Sequence, residues 1–355
     1  MNKVFFRVDA NEIVGFGHFY RCLELAKEFL NKNIIPVFIL KHYTKSVLEV
    51  IETHGVEYEL LALNNEIANR EEVNHIKKLK ETHKARAIFL DIDHKLYKES
   101  NTEYEVYLKT IDSFFYTIMF GDFSPIKFYP DMIIVPYVGA QTYHSGLEHI
   151  LKKKLLGAEY FILRKEFLNY KNEYSIREKV SNIVITMGGS NPSCSIEKAV
   201  ESVTLTSFTG KCTIIVGKEA KIDFNELAKK ISCSSIEFSF LYNNSNFIEC
   251  LLNSDIVFTN SGLTKYETMY LGIPTFTFSI NDNHEELMNL FEKETKSIIH
   301  LGNVNNLKEN VIAEHLETFI LDNAKRKEFS ERGKKLIDGK GLDRILSQVL
   351  LEIKK

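Results

Sequence analysis

The sequence predicts an α/β protein of two Rossmann-like, doubly wound domains facing each other across an interdomain cleft. Three observations carry that prediction. Short β-branched apolar runs alternate with amphipathic segments of helical period, the pattern of parallel strands covered by helices on both faces. The runs fall into two series separated by a single charged stretch. The chain has 355 residues, long for one core when domains hold roughly 100–200 residues each.

The first series reads "VFFRV" (4–8), "IIPVFIL" (34–40), "ARAIFLD" (85–91), "YTIMF" (116–120) and "DMIIVPY" (131–137). After its first strand, Phe19, Cys22, Leu23, Ala26, Phe29 and Leu30 share one helical face. The break is "RKEFLNYKNEYSIREKV" (164–180), charged and without a strong strand signal. The second series reads "SNIVITM" (181–187), "KCTIIVG" (211–217), "IEFSF" (236–240), "DIVFTN" (255–260), "PTFTF" (274–278) and "SIIHL" (297–301). "GKGLDRILSQVLLEIKK" (339–355) closes the chain as one more amphipathic helix. The expected organisation is a first domain over 1–163, a linker over 164–180, a second domain over 181–338 and a tail helix over 339–355.

Composition narrows the function. Hydrophobic residues make up 44%, enough for a sizeable core, and the net charge is −3 with both signs interspersed. No basic block occurs, so nucleic acid is not an expected partner. Five scattered cysteines without a CxxC pair point to a reducing cytoplasm and no structural zinc. Arg7 and Asp9 interrupt the first apolar run, unlike a secretory leader, and no stretch of about 18 apolar residues is present to span a membrane. A monomer or weak dimer is expected.

Ligands of open α/β sheets bind beyond the carboxyl ends of the strands, so the loops after strands matter most. Three are unusual. The first is Gly15-Phe16-Gly17-His18-Phe19-Tyr20-Arg21. It starts like a dinucleotide fingerprint, but Tyr20 replaces the third glycine and no acidic residue ends the second strand ("FILKHY"), which argues against a dinucleotide oxidoreductase. It has two readings. One is a tight strand-to-helix turn with His18 as an ordinary polar residue. In the other, the glycines admit a ligand to the backbone, the positive helix end lowers the imidazole pKa, and a neutral His18 acts as a general base.

The second loop is Met187-Gly188-Gly189-Ser190-Asn191, whose backbone N–H groups suit phosphate oxygens. The third lies in "TNSGLTKYETMYLGIP" (259–274). Asn260, Ser261, Gly262 and Thr264 make a small polar loop, and Glu267 follows one turn on, able to accept both ribose hydroxyls with its two oxygens. The alternative for Glu267 is a solvated helix glutamate. "NDNHEE" (281–286) follows the next strand and belongs to the same end of the sheet. Asp91-Ile92-Asp93 has the form of a DxD metal motif, but no third ligand accompanies it, so neither a metal nor another cofactor is expected. His42, His54, His75 and His83 fall in helix or loop patterns and are expected at the surface. No GxSxG or HExxH occurs.

"FRVDANEIVGFGHFYRCLELA" resembles the opening of the UDP-2,4-diacetamido-2,4,6-trideoxy-β-L-altropyranose hydrolases of pseudaminic acid biosynthesis, within a broader group that includes spore-coat polysaccharide biosynthesis proteins. The similarity continues, in order, at "LLGAEYFILRKEF" (155–167), "VITMGGSNP" (184–192) and "SGLTKYETMYLGIP". It implies a glycosyltransferase-B (GT-B) fold with the tail helix packing back on the first domain. It implies UDP in the second domain, the diphosphate at Gly188, Gly189, Ser190 and the 260–264 loop, and the ribose at Glu267. Further substrate contacts are implied for Asp9, Gly17, Arg21, Asp91, Asn283 and His284. His18 is then the base that activates water for inverting, metal-independent attack on the anomeric carbon of a UDP-linked deoxyamino sugar; a transferase using a sugar acceptor is the alternative. Two departures stand out: Asn283-His284 replaces the usual Asn-Gln, and "LDIDHKLY" matches the family's Asp-His-Tyr stretch only at Asp91 unless shifted to Asp93-His94.

Overall fold

A computed structural model of the chain describes residues 3–11, 14–61, 70–92, 101–121, 123, 129–145, 152–188, 193–217, 222–232, 234–242 and 246–353. They form two compact units, one of Met1–Arg164 with Lys340–Lys355, the other of Lys165–Gly339.

In the first unit the order is β1 (Lys3–Val8), α1 (Gly17–Asn31), β2 (Ile35–Leu40), α2 (Lys45–Thr53), β3 (Glu57–Leu60), α3 (Arg70–His83), β4 (Ala87–Asp91), α4 (Asn101–Asp112), β5 (Tyr116–Phe120), β6 (Met132–Val135), α5 (Ala140–Tyr143) and β7 (Lys153–Leu156). The seven strands form a parallel sheet in the order β3-β2-β1-β4-β5-β6-β7. In the second unit come α6 (Lys165–Leu168), β8 (Asn182–Thr186), α7 (Ser193–Thr204), β9 (Lys211–Val216), α8 (Phe224–Ile231), β10 (Glu237–Tyr242), α9 (Phe247–Leu252), β11 (Ile256–Asn260), α10 (Thr264–Leu271), β12 (Thr275–Ser279), α11 (Asp282–Thr295), β13 (Ile299–Asn303), α12 (Glu309–Leu321) and α13 (Asn323–Leu336). Its parallel sheet runs β10-β9-β8-β11-β12-β13. The last helix, α14 (Gly341–Ile353), belongs to the first unit, where Leu342, Ile345, Leu346 and Val349 enter its core.

All eleven expected strands are present. The two without a strand signal in the sequence, β3 ("EYEL") and β7 ("KKLL"), are the edges of the first sheet. Edge strands need only one covered flank and tolerate charge, so they carry no continuous apolar run.

One feature of the first core fixes the floor of the site above it. Phe38, Phe6, Phe89 and Phe120 come from four adjacent strands and stack face to face, with centroids 5.3, 4.6 and 6.2 Å apart. Such pairs add roughly 0.5–1.5 kcal/mol each beyond the area they bury. The apolar face of α1 covers this ladder: Phe19, Cys22, Leu23, Ala26 and Phe29 are buried, and Leu30 packs at its margin.

The stretch expected as a linker is folded into the second unit from Lys165 onward. Phe167 and Tyr174 are buried. Arg177 pairs with Asp255 at 2.8 Å and donates to the carbonyls of Ser254 and Leu252. Arg177 thus fastens the segment to the end of α9 and its connection to β11.

Candidate functional site

In both sheets the strand order reverses beside the first strand of the unit, between β1 and β4 and between β8 and β11. A crevice opens at such a switch point, and two polar centres sit there, one in each unit.

In the first unit β1 and β4 pair with Val8 opposite Asp91, and Gly15, at φ +82°, turns the chain after β1 into α1. Gly17 opens the helix and His18 lies in its first turn, one helical turn before Arg21. Both side chains therefore meet the end of β4. Nδ1 of His18 is 2.6 Å from Oδ1 of Asp91. Arg21 grips the same carboxylate twice, Nε to Oδ2 at 2.5 Å and Nη2 to Oδ1 at 2.5 Å, donates from Nη1 to the Tyr137 hydroxyl at 2.6 Å, and lies 4.6 Å over the Phe120 ring. The Cys22 thiol donates to Oδ2 at 3.4 Å.

Burial alone raises the Asp91 pKa, but the charges and hydrogen bonds of Arg21 and His18 outweigh it and hold the carboxyl well below its usual range. An ionised carboxylate only accepts hydrogen bonds, so the His18 nitrogen facing it must carry the proton. With Nδ1–H donating to Asp91, Nε2 of a neutral ring keeps its lone pair; Nη2 of Arg21 also lies 3.0 Å from Nδ1, where the shared carboxylate holds both donors. Among the described residues Nε2 has no partner, and the side chain is 29% exposed while Asp91 is 1% exposed. Burial and the adjacent carboxylate push the Cys22 thiol well up, so it stays protonated as a donor.

Both Asp91 oxygens accept from protein donors, and Arg21 bonds Asp91 and Tyr137, so the two hold the His18 ring from one side. Asp9 is fully buried: its Oδ1 accepts from Arg7 at 2.7 Å and from the backbone N–H groups of Lys41 and His42 at 2.9 Å each. Arg7 and Lys41 also bond Glu72, so Asp9 ties the end of β1 to that of β2, while its buried Oδ2 has no partner among the described residues.

In the second unit the chain leaves β8 at Met187 and turns at Gly188, φ +78°. Asn260 ends the neighbouring β11. Its Nδ2 donates to the Met187 carbonyl at 3.0 Å, and its buried Oδ1 has no partner among the described residues. The Ser261 N–H donates to the Phe278 carbonyl, and the Ser261 hydroxyl is 3.4 Å from Nδ1 of His284 in the first turn of α11. Among the described residues, its chain neighbours aside, no atom lies within 4 Å of where a Cβ on Gly262 would stand, so the backbone there is approachable. Thr264 begins α10. Glu267 is only 5% exposed, so it is not a solvated helix glutamate. Gly189, Ser190 and the segment Asp93–His94 lie outside the described residues, as does the Asn283 side chain.

The structure thus brings together His18, Arg21 and Asp91 in one unit and Gly188, Asn260, Ser261 and His284 in the other. Sequence reasoning missed Tyr137, placed in a strand when it follows β6, and Lys265, whose Nζ donates to the carbonyls of Ser261 and Gly262 at 2.6 and 2.9 Å. A signal for Lys265 existed: a cation in the first turn of a helix opposes the helix dipole. Among the described residues no group of three or more His, Cys, Asp or Glu is placed to hold a metal, and no helix is long and apolar enough to cross a membrane.

The fold is GT-B. MurG of Acinetobacter baumannii superposes with a TM-score of 0.68 at 9% identity, over 99% of this chain and 99% of that one. Anabaena Alr3699/HepE, solved with UDP and glucose, does so with a TM-score of 0.61 at 12% identity over all of both chains. No family model matches the chain. Among curated proteins it is similar to the uncharacterised protein MJ1062 of Methanocaldococcus jannaschii, 26% identical over 330 residues, covering 90% of this chain and 63% of that protein. It is more distantly similar to the spore coat polysaccharide biosynthesis protein SpsG of Bacillus subtilis, 19% identical over 222 residues, covering 61% of this chain. The chain spans 63% of the length of each of these relatives.

Proposed function

We propose that the chain is a nucleotide-sugar enzyme of surface-polysaccharide biosynthesis that hydrolyses a UDP-linked deoxyamino sugar with inversion and without a metal. The observation that carries the chemistry is the His18–Asp91 pair, with Nδ1–H held and Nε2 open. Nε2 takes a proton from water as the water oxygen bonds to the anomeric carbon. The bond from that carbon to the diphosphate oxygen breaks, and UDP leaves with the electron pair. Asp91 stabilises the imidazolium that forms, while Arg21 and Tyr137 keep Asp91 in place. Supporting the nucleotide half are the polar loop at Asn260–Thr264, the open approach at Gly262, the turn at Gly188 and the N-terminal ends of α10 and α11, whose N–H groups and dipoles suit a diphosphate. Glu267 is assigned to the ribose. HepE binds UDP on the same fold, and SpsG lends support for the polysaccharide setting.

A glycosyltransferase is the second reading, favoured by the departure from the hydrolase pattern after Asp91 and by the fold shared with MurG. It differs only in what His18 deprotonates. The deciding experiment is a UDP-release assay over amino-deoxy UDP-sugars, with and without sugar acceptors, in ¹⁸O-labelled water. Label in the free sugar supports hydrolysis; release only with acceptor, and no label, supports transfer; no release from any of them overturns both.

A further inference from the structure

Lys265 is a buried charged group of the second unit that the proposed reaction leaves unused. It is 6% exposed, in the first turn of α10, where the helix dipole already disfavours a cation. Its ammonium lies 4.6 Å over the Tyr266 ring and 5.5 Å over the Phe291 ring, and its hydrogen bonds go to two carbonyls of one loop. Among the described residues no carboxylate pairs with it. A buried, hydrogen-bonded ammonium without a counter-ion is a costly arrangement.

The loop explains what that arrangement accomplishes. In a trans peptide the C=O and the following N–H point in opposite directions. By accepting from Lys265, the Ser261 and Gly262 carbonyls turn the N–H groups of Gly262 and Leu263 away from the ammonium. These belong to the loop that is approachable at Gly262. Beside them Asn260, nine-tenths buried, keeps an unpartnered Oδ1, an acceptor that a ligand N–H or O–H can satisfy. The loop therefore presents two N–H donors backed by a buried ammonium, an arrangement that suits an anion.

We propose that Lys265 is the positioning residue of the nucleotide loop and that it takes up a proton when a nucleoside diphosphate binds there. This rests on the assignment of UDP to the second unit. Burial pushes the Lys265 pKa down to about 7, so a sizeable fraction is neutral in the empty protein at that pH. A diphosphate across two peptides favours the charged form. Titratable groups on the elements packed about α10 include Glu267, Tyr266 and Tyr270 on its own helix, Glu285, His284 and Glu292 on α11, His300 on β13 and Arg326, Glu331 and Lys334 on α13. His300 does not compete for the proton: burial first, then the Lys265 charge, push it down to about 4.

The test is calorimetric titration of UDP into the intact chain near pH 7, in buffers of different ionisation enthalpy, for wild type and Lys265→Met. Wild type should take up about half a proton, and its affinity should fall as pH rises from about 7 to 9. In the variant the uptake should vanish, with UDP binding roughly tenfold weaker near pH 7 and losing that pH dependence. Equal proton uptake in both proteins overturns the coupling and leaves the nucleotide site standing. No binding heat with wild type in any buffer, and no protection from unfolding by UDP, overturns the nucleotide site and the coupling with it. NMR of ¹³Cε-labelled lysine in wild type reads the same quantity should the variant not fold. One lysine titrating near neutrality should move up by about one pH unit or more with UDP. A resonance unmoved by bound UDP overturns the proposal.

Discussion

The two switch points differ in how they manage charge. At the end of β1 and β4 the charged groups are paired with one another, with one oxygen of Asp9, Oδ2, left buried and without a partner among the described residues. Arg21 is bidentate on Asp91, Arg7 sits between Asp9 and Glu72, and Lys41 closes on Glu72. At the end of β8 and β11 a buried ammonium rests on carbonyls and an amide oxygen has no donor among the described residues. In the first centre the proposed base is already oriented by Asp91, as proton transfer requires. The second holds a buried cation with no carboxylate paired to it among the described residues. On the proposed function the contrast places chemistry in one unit and nucleotide binding in the other, and it can be broken at either end.

The largest expected effect is at His18. Substitution by alanine should lower turnover by roughly 10²–10⁴-fold, the usual worth of a general base, while UDP affinity measured by calorimetry stays at the wild-type value. An unchanged rate removes His18 from the chemistry. A matching loss of UDP affinity breaks the division of labour, because it makes the first centre part of the nucleotide site.

Asp91→Asn comes next. The amide can no longer enforce Nδ1–H on His18, and turnover should fall by about 10²-fold. The change also strips a buried guanidinium of its counter-ion, with a cost of about 3–5 kcal/mol in denaturant unfolding. Acid dependence gives a separate readout. The folded pKa of Asp91 is depressed, so its stabilising contribution is complete above the ordinary carboxylate range near pH 4 and is lost as pH falls from there towards the folded value. In the asparagine variant that part of the acid transition should be absent. If the variant unfolds with the wild-type acid profile, the pairing is not what holds this centre.

Much of this was legible in the sequence, and the parts that were not share a cause. Apart from the edge strands β3 and β7, the strands of the two sheets announce themselves because both faces are covered, and the α1 stripe because its period is unambiguous. The loops at 15–21, 187–191 and 259–264 stand out because glycine after a buried strand is a local signal. What a side chain does there depends on partners far away in the chain. Asp91 is 70 residues from Arg21, and Tyr137 is 116 residues from it. Asp9 reads as an available carboxylate, and only the return of β2 beside β1 shows that Lys41 and His42 have taken it. Lys265 was passed over because a helix lysine is ordinarily solvated; its burial is a property of how α10 seats against α13 and α11.

Glu267→Ala sharpens the nucleotide side. A carboxylate bonded to ribose hydroxyls is worth roughly 1.5–3 kcal/mol, so UDP should bind about 10- to 100-fold more weakly, with turnover at saturating substrate little changed. UDP affinity equal to wild type would end the ribose assignment, and a loss confined to turnover would move Glu267 to the chemical side of the comparison.

The smallest effect is thermal and needs no substrate. Lys265 has a folded pKa of about 7 and an unfolded one in the ordinary lysine range, near 10.4. Between those values the unfolded chain holds more protons than the folded one, so stability must rise with pH across that window. Below it the lysine is charged in both states and the burial penalty is felt in full; above it the lysine is neutral in both and the penalty is gone. The melting midpoint should climb by a few degrees from about pH 7 to 10, and Lys265→Met, which removes the charge, should be flatter. Saturating UDP should shift the climb to higher pH by supplying the missing counter-charge. If the wild-type midpoint is level across that range, the second unit carries no uncompensated cation, and the difference between the two centres reduces to the partners of His18.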